Sequence, residues 1–302
     1  MIALGAAIGF EAIACKSDDD TPGRPASAYA GPDSEIVEDD GSSSPKRGSV
    51  SLSQSTPGTP AQFAYFRGDA EFVDEAVTAR PGTVCTEGRE GTCRFEACET
   101  DKSVAVPATP QARRLDAGPI GFEGERSSHT IAYGDEKLGY VDKQQKGSAL
   151  VGVGETLRIV GLGSAEVPAF ATTLVLRAPI QMLSPAPQGF DLTRLRVSTR
   201  SEFKLTWKGG TSDENVVVGV YGAEHTAKHE RPRSVYVTCV FQANAGRGVV
   251  PASMMKLMPV GPDSFDSVSV ASEQTRLLVA GDFRIRTAVE QGLGESYVTQ
   301  YE

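Results

Sequence analysis

From Glu202 to Trp207 the chain reads Glu-Phe-Lys-Leu-Thr-Trp, polar and apolar in strict alternation. That period of two puts Phe203, Leu205 and Trp207 on one side of an extended strand and the charged and hydroxyl side chains on the other. A helix would scatter the same three residues around its axis. The pattern returns in Ser267-Val268-Ser269-Val270. Similar short runs bounded by turn residues are expected at 62–66, 120–123, 129–133, 156–160, 172–177, 215–221, 234–241, 283–288 and 296–301. The expected fold class is therefore all-β, built of tandem immunoglobulin-like β-sandwich units, with Trp207 as a core residue of the second. Helical signals are confined to two places. One is 69–79, where Phe72, Val73, Ala76 and Val77 share a face that Pro81-Gly82 ends; the other is 251–257, opened by Pro251.

The first sixty residues have a different character. An apolar stretch ends at Ala12-Ile13-Ala14-Cys15, long enough for a signal-peptide core and too short to span a bilayer. It resembles the lipobox of bacterial lipoproteins, which implies acylation of Cys15, a signal over 1–15 and anchoring of the chain to the membrane by lipid. Lys16 in place of Asp after that cysteine points, by the same resemblance, to an outer-membrane lipoprotein of the cell envelope. Residues 16–60 are rich in Ser, Pro, Gly, Asp and Glu, including Asp18-Asp19-Asp20 and Glu38-Asp39-Asp40. With little apolar surface to bury, they are expected to form a disordered linker that holds the folded part away from the membrane.

The net charge of −9, with basic residues scattered and not striped, argues against a nucleic-acid partner. Beyond Cys15 the chain has Cys85, Cys93, Cys98 and Cys239. An even number in an exported chain suggests two disulfides out of three possible connectivities. We expect one bridge within the 85–98 segment and one from that region to Cys239. A hairpin closed by the glycine-bearing 87–91 loop would set Cys85 opposite Cys93. The spacing fits no standard zinc pattern. His225 and His229, four apart and flanked by Glu224 and Glu230, are the best metal candidates; they lie between two expected strands, which favours a solvated loop. His129 is expected to be structural.

No activated-nucleophile motif appears, and Gly152-Val153-Gly154 and Gly161-Leu162-Gly163 complete neither a dinucleotide fingerprint nor a P-loop. They read as turns. Arg67-Gly68-Asp69 is a chance match to an adhesion tripeptide. Acidic pairs cannot be selected by spacing in so acidic a chain, so an enzyme acting on polysaccharide or peptidoglycan through two carboxylates stands as the alternative reading. A metal-binding lipoprotein is a third.

Ser184-Pro185-Ala186-Pro187 marks an expected boundary between a disulfide-bearing β-rich domain, 61–184, and a sandwich domain, 185–302. Cys93-Arg94-Phe95-Glu96-Ala97-Cys98, Ala117-Gly118-Pro119-Ile120, Val167-Pro168-Ala169-Phe170, Trp207 with Gly209-Gly210, Cys239-Val240-Phe241 and Val250-Pro251-Ala252 together resemble uncharacterised secreted bacterial lipoproteins of myxobacterial type. The resemblance implies tandem β-rich units on a tether and brings no activity or site residues. The expected function is noncatalytic binding or scaffolding at the envelope, with a protein or surface-glycan partner and no cofactor.

Overall fold

The computed structural model describes residues 35–37, 46–55, 64–74, 83–103, 113–135, 139–142, 145–146, 149–185, 195–224, 229–260, 264–292 and 297–301. All belong to one compact unit, Gly31–Glu302. The chain is all-β. Its strands are β1 (Glu35–Val37), β2 (Lys46–Ser55), β3 (Tyr65–Asp74), β4 (Thr83–Glu90), β5 (Cys93–Thr100), β6 (Ile120–Glu123) and β7 (Ser128–Ile131). They continue with β8 (Tyr133–Asp135), β9 (Gly139–Tyr140), β10 (Gln145–Lys146), β11 (Thr156–Gly161), β12 (Phe170–Val175), β13 (Gln181–Ser184) and β14 (Leu195–Val197). The last are β15 (Phe203–Lys208), β16 (Asn215–Glu224), β17 (Arg233–Gln242), β18 (Arg247–Val250), β19 (Ser264–Ala280), β20 (Phe283–Gly292) and β21 (Tyr297–Tyr301). A helical turn, α1 (Ala252–Met255), follows Pro251, and a 3-10 turn spans Ala243–Ala245.

One large sheet dominates, with path β10-β3-β2-β20-β19-β16-β17-β5-β4. The 17-residue β19 is its spine. One half pairs with β16 and the other with β20; Ala271, Ser272 and Glu273 pair on both edges at once. Two small sheets pack on the same face. The sheet β12-β11-β6-β7 closes a core with Val50, Leu52, Phe72, Phe122, Phe170 and Phe283. The sheet β13-β15-β18 closes a second with Trp207, Val216, Val218, Val237, Met254 and Val268. Each core draws on residues from both sides of Pro185, so the proline-rich segment divides the chain but not the packing. The arrangement is sandwich-like, two layers enclosing apolar side chains.

A buried polar seam runs under β19 between the cores. Ser272, Gln274 and Gln291 are almost wholly enclosed, and Gln54 is fully so. The Gln54 amide donates to the Val151 carbonyl at 2.9 Å and accepts from the Val151 amide at 3.2 Å, which satisfies it without water.

Three expectations are corrected. Residues 46–55, assigned to the disordered linker, form β2, inside the sheet between β3 and β20. Gly48, Val50, Leu52 and Gln54 face the core while Arg47, Ser49, Ser51 and Ser53 face away, so the serines that suggested a linker are one side of a strand. The helix expected over 69–79 is strand β3 as far as Asp74: Gly68, Ala70 and Phe72 alternate inward, and pairing with β2 overrides the helical spacing. The remainder of that segment lies outside the described residues. Finally, Glu87 to Glu90 belong to β4, and the hairpin turns on Gly91-Thr92 alone, Gly91 having φ of 58°. This register sets Cys85 opposite Cys98, not Cys93.

The two disulfides are Cys85–Cys98 and Cys93–Cys239, each across directly paired residues of neighbouring strands. Trp207 lies in the second core, 3 % exposed, its indole N–H donating to the Ala243 carbonyl at 2.6 Å.

Candidate functional site

With two small sheets on one face, the other face of the large sheet is left to polar side chains. The register places them in cross-strand rows. Leu277, Arg286, Ser49 and Glu71 form one row over β19, β20, β2 and β3; Val279, Arg284, Arg47 and Val73 form the next. On the far side of β19, Ser269, Gly219, Thr238, Arg94 and Arg89 form a row over β19, β16, β17, β5 and β4.

A groove of about 690 Å³ brings the two sides together. Arg47, Arg89, Arg94, Arg284 and Arg286 line it with Leu277, and Glu71 is the one acidic residue in its wall among the described residues. Arg89 stands directly opposite Arg94, and Arg47 directly opposite Arg284. Like charges in directly opposed positions destabilise a sheet. Arg286 is held by Glu273, which is almost wholly buried while Arg286 stays half exposed. Arg89 and Arg94 have no ion pair among the described residues. Glu87 and Glu96 lie one row beyond them. A chain of net charge −9 thus gathers five guanidinium groups around one concavity. Planar, permanently charged forks of this kind match carboxylate, sulfate and phosphate groups.

Beside the groove lies a pair of carboxylates. Glu273 and Glu290 are directly opposed on β19 and β20. The Ser53 hydroxyl donates to Glu290 at 3.0 Å. Burial raises the Glu290 pKa, and the neighbouring Glu273 charge raises it further. Tyr65 is also raised, first by burial and then by Glu290. A smaller depression of about 280 Å³, lined by Asp69, Glu71, Arg114 and Tyr133, adjoins the groove through Ser49 and Glu71.

The residues expected from sequence fall elsewhere. Cys15, His225 and the two acidic runs, Asp18-Asp19-Asp20 and Glu38-Asp39-Asp40, lie outside the described residues. His229 is on a connecting segment, its carbonyl accepting from Lys102 Nζ at 2.6 Å. Among the described residues, Cys85, Glu96 and Cys98 form a cluster with metal-ligand atoms in reach of one another, but both sulfurs are spent in the disulfide. His129 Nε2 lies 2.8 Å from Asp142, which also accepts from the Gly68 amide; its ring packs edge-on to Phe66 and stacks near Phe122. That is a structural role. No helix among the described residues is long and apolar enough to cross a membrane. Arg47, Arg284 and Arg286 are not singled out by sequence spacing, because strand register alone assembles them. No protein-family model and no curated protein matches the chain.

Proposed function

We propose that this is a noncatalytic, lipid-anchored protein of the cell envelope that binds an anionic partner, a protein or a surface glycan, in the arginine groove. One observation carries the reading: Arg89 and Arg94, with no ion pair among the described residues, are held directly opposite each other on one face of an acidic protein, where sheet stability alone disfavours them. A partner's anionic groups would remove that repulsion. The open face suits an extended partner, and acylation of Cys15 would keep the site at the membrane.

The test is calorimetric titration with polyglutamate and with polygalacturonate, for the wild type and for Arg89→Ser/Arg94→Ser. Affinity for at least one polymer should fall about tenfold in the variant, with a shallower salt dependence, since each pair of lost ionic contacts removes of the order of 1–2 kcal/mol. Binding that is indifferent to both arginines would sink the proposal.

The carboxylate pair supports a second reading, hydrolysis of a polysaccharide by Glu290 as acid and Glu273 as its charged counterpart. It ranks second because Glu273 is enclosed and committed to Arg286, and neither carboxylate lines the groove. Release of reducing ends from polygalacturonate, abolished in Glu290→Gln, would reverse the ranking.

A further inference from the structure

The two disulfides are shielded from solvent to very different degrees. Cys93 and Cys239 are 1 % and 0 % exposed and belong to the second core. Cys85 is exposed and Cys98 half-buried, and their bridge lies on the open face, in a cross-strand row with Ala223 and Ser234. The strand that carries Cys85, β4, is the outermost of the sheet path. What the bridges hold together differs as well. Cys85–Cys98 joins residues 13 apart within one hairpin, whereas Cys93–Cys239 fastens that hairpin to β17 across a separation of 146. Opening the first bridge therefore leaves β5 covalently held in the sheet by the second.

Thiol–disulfide exchange needs a thiolate to reach one sulfur while the other sulfur leaves as a thiolate. The surroundings of the exposed bridge make its two sulfurs unequal. Cys98 lines a cavity of about 640 Å³ with Glu99, Asp101, Arg231 and Arg233, so an incoming thiol has room on that side. Glu96 Oε1 lies 3.1 Å from Cys98 Sγ. A negative charge so close disfavours Cys98 as the departing thiolate. Cys85, being exposed, departs into water, which hydrates the anion it becomes. Access and leaving ability thus favour the same polarity, attack at Cys98 and departure of Cys85.

We infer that Cys85–Cys98 is a thiol–disulfide exchange site, opened by an external dithiol that attacks Cys98, while Cys93–Cys239 stays closed as the permanent tie of the hairpin. In the first step a thiolate of the dithiol bonds to Cys98 Sγ, the Cys85–Cys98 bond breaks, and Cys85 leaves as a thiolate that takes up a proton. In the second, the other thiol of the reagent, deprotonated, attacks its own bonded sulfur and expels Cys98 as a thiolate, which is protonated in turn. The dithiol ends as a disulfide, and its two electrons reside on Cys85 and Cys98 as thiols. The inference stands apart from what binds in the arginine groove.

The experiment treats the folded full chain with dithiothreitol at neutral pH, blocks the thiols formed with an alkylating reagent and locates them by peptide mass. Cys85 and Cys98 should become thiols about a hundredfold faster than Cys93 and Cys239, because a bridge enclosed in a core reacts only in molecules that have opened locally. In a second arm, 2-mercaptoethanol has a single thiol and stalls after the first step. Its adduct, trapped by acid, should be found on Cys98 in the wild type and divided between Cys98 and Cys85 in Glu96→Gln, where the charge that separates the two sulfurs is gone. Reduction of both bridges at one rate, reduction of Cys93–Cys239 first, or reduction of neither until urea unfolds the chain overturns the inference. So does an adduct confined to Cys85 in the wild type, or one whose distribution Glu96→Gln leaves unchanged.

Discussion

The two faces of the large sheet follow different rules. On the packed face, alternation, burial and pairing agree: Val50, Leu52, Val216, Val218, Val220 and Ile285 are fully enclosed against two small sheets, and the polar groups there are mostly amides and hydroxyls. On the open face the same strands place arginine opposite arginine and glutamate opposite glutamate. Each face also carries one disulfide. Cys93 and Cys239 are buried in the second core, whereas Cys85 is exposed. A sequence that is locally consistent on one side of a strand and repeatedly inconsistent on the other fits folding as the constraint on the first side and the proposed recognition as the constraint on the second.

If that division is right, substitutions on the packed side should cost stability, and those on the open side should cost binding. The largest effect is expected from Cys93→Ala/Cys239→Ala. This bridge closes a sequence separation of 146, against 13 for Cys85–Cys98. Chain-entropy reasoning puts the losses at about 5 and about 3 kcal/mol respectively. Urea denaturation of the two variants checks the order, and equal losses would show that the bridges do not differ in the way their loops imply. Next comes Phe122→Ala in the first core. Phe122 is fully buried, and the loss should be about 3–5 kcal/mol, whereas Tyr236→Leu on the open face should cost under about 1 kcal/mol.

A pH test sharpens the contrast. Glu290 and Glu214 both have raised pKa values, each chiefly through burial. The folded state therefore holds their protons more tightly than the unfolded chain does. Their contribution to stability is complete below the ordinary glutamate pKa and is lost as pH rises through the folded values. Glu290→Gln keeps an acceptor for Ser53 and removes the buried charge, so its urea midpoint should exceed that of the wild type at pH 7 and match it in acid. A variant less stable than the wild type at pH 7 would show that Glu290 stabilises the fold as an anion, against the direction of its raised pKa. The smallest effect concerns the acidic run that follows β1. Val37 pairs with Leu277, which lines the groove, and Glu38-Asp39-Asp40 follows Val37 in the sequence. Replacing the three by serine should raise polyanion affinity about twofold at low salt and leave it unchanged at high salt.

Much of the packed face was legible in the sequence. Phe203, Leu205 and Trp207 alternate as a half-buried strand must, and the runs that became β6, β11, β16, β17 and β20 show strand composition between turn residues. Failures came where the outer residues of a strand imitate something else. The serines of β2 look like linker, and Asp69 and Glu71 on β3 look like the polar side of a helix, because local composition carries no information about the neighbouring strand. The groove was illegible for a related reason. Arg47 and Arg284 are neighbours only through parallel pairing of distant strands. Arg89 and Arg94 are the exception: they lie symmetrically about Gly91-Thr92, and a two-residue turn there makes their opposition readable.

The most direct measurement is a nuclear magnetic resonance titration of the protein with a galacturonate oligomer, following the arginine Nε–H signals. Saturable shifts are predicted at Arg89, Arg94, Arg47, Arg284 and Arg286, with the core signals of Trp207 and Phe122 unmoved. Shifts confined to other surfaces, or none at concentrations where the polymer binds, would contradict the assignment of the open face as the recognition surface.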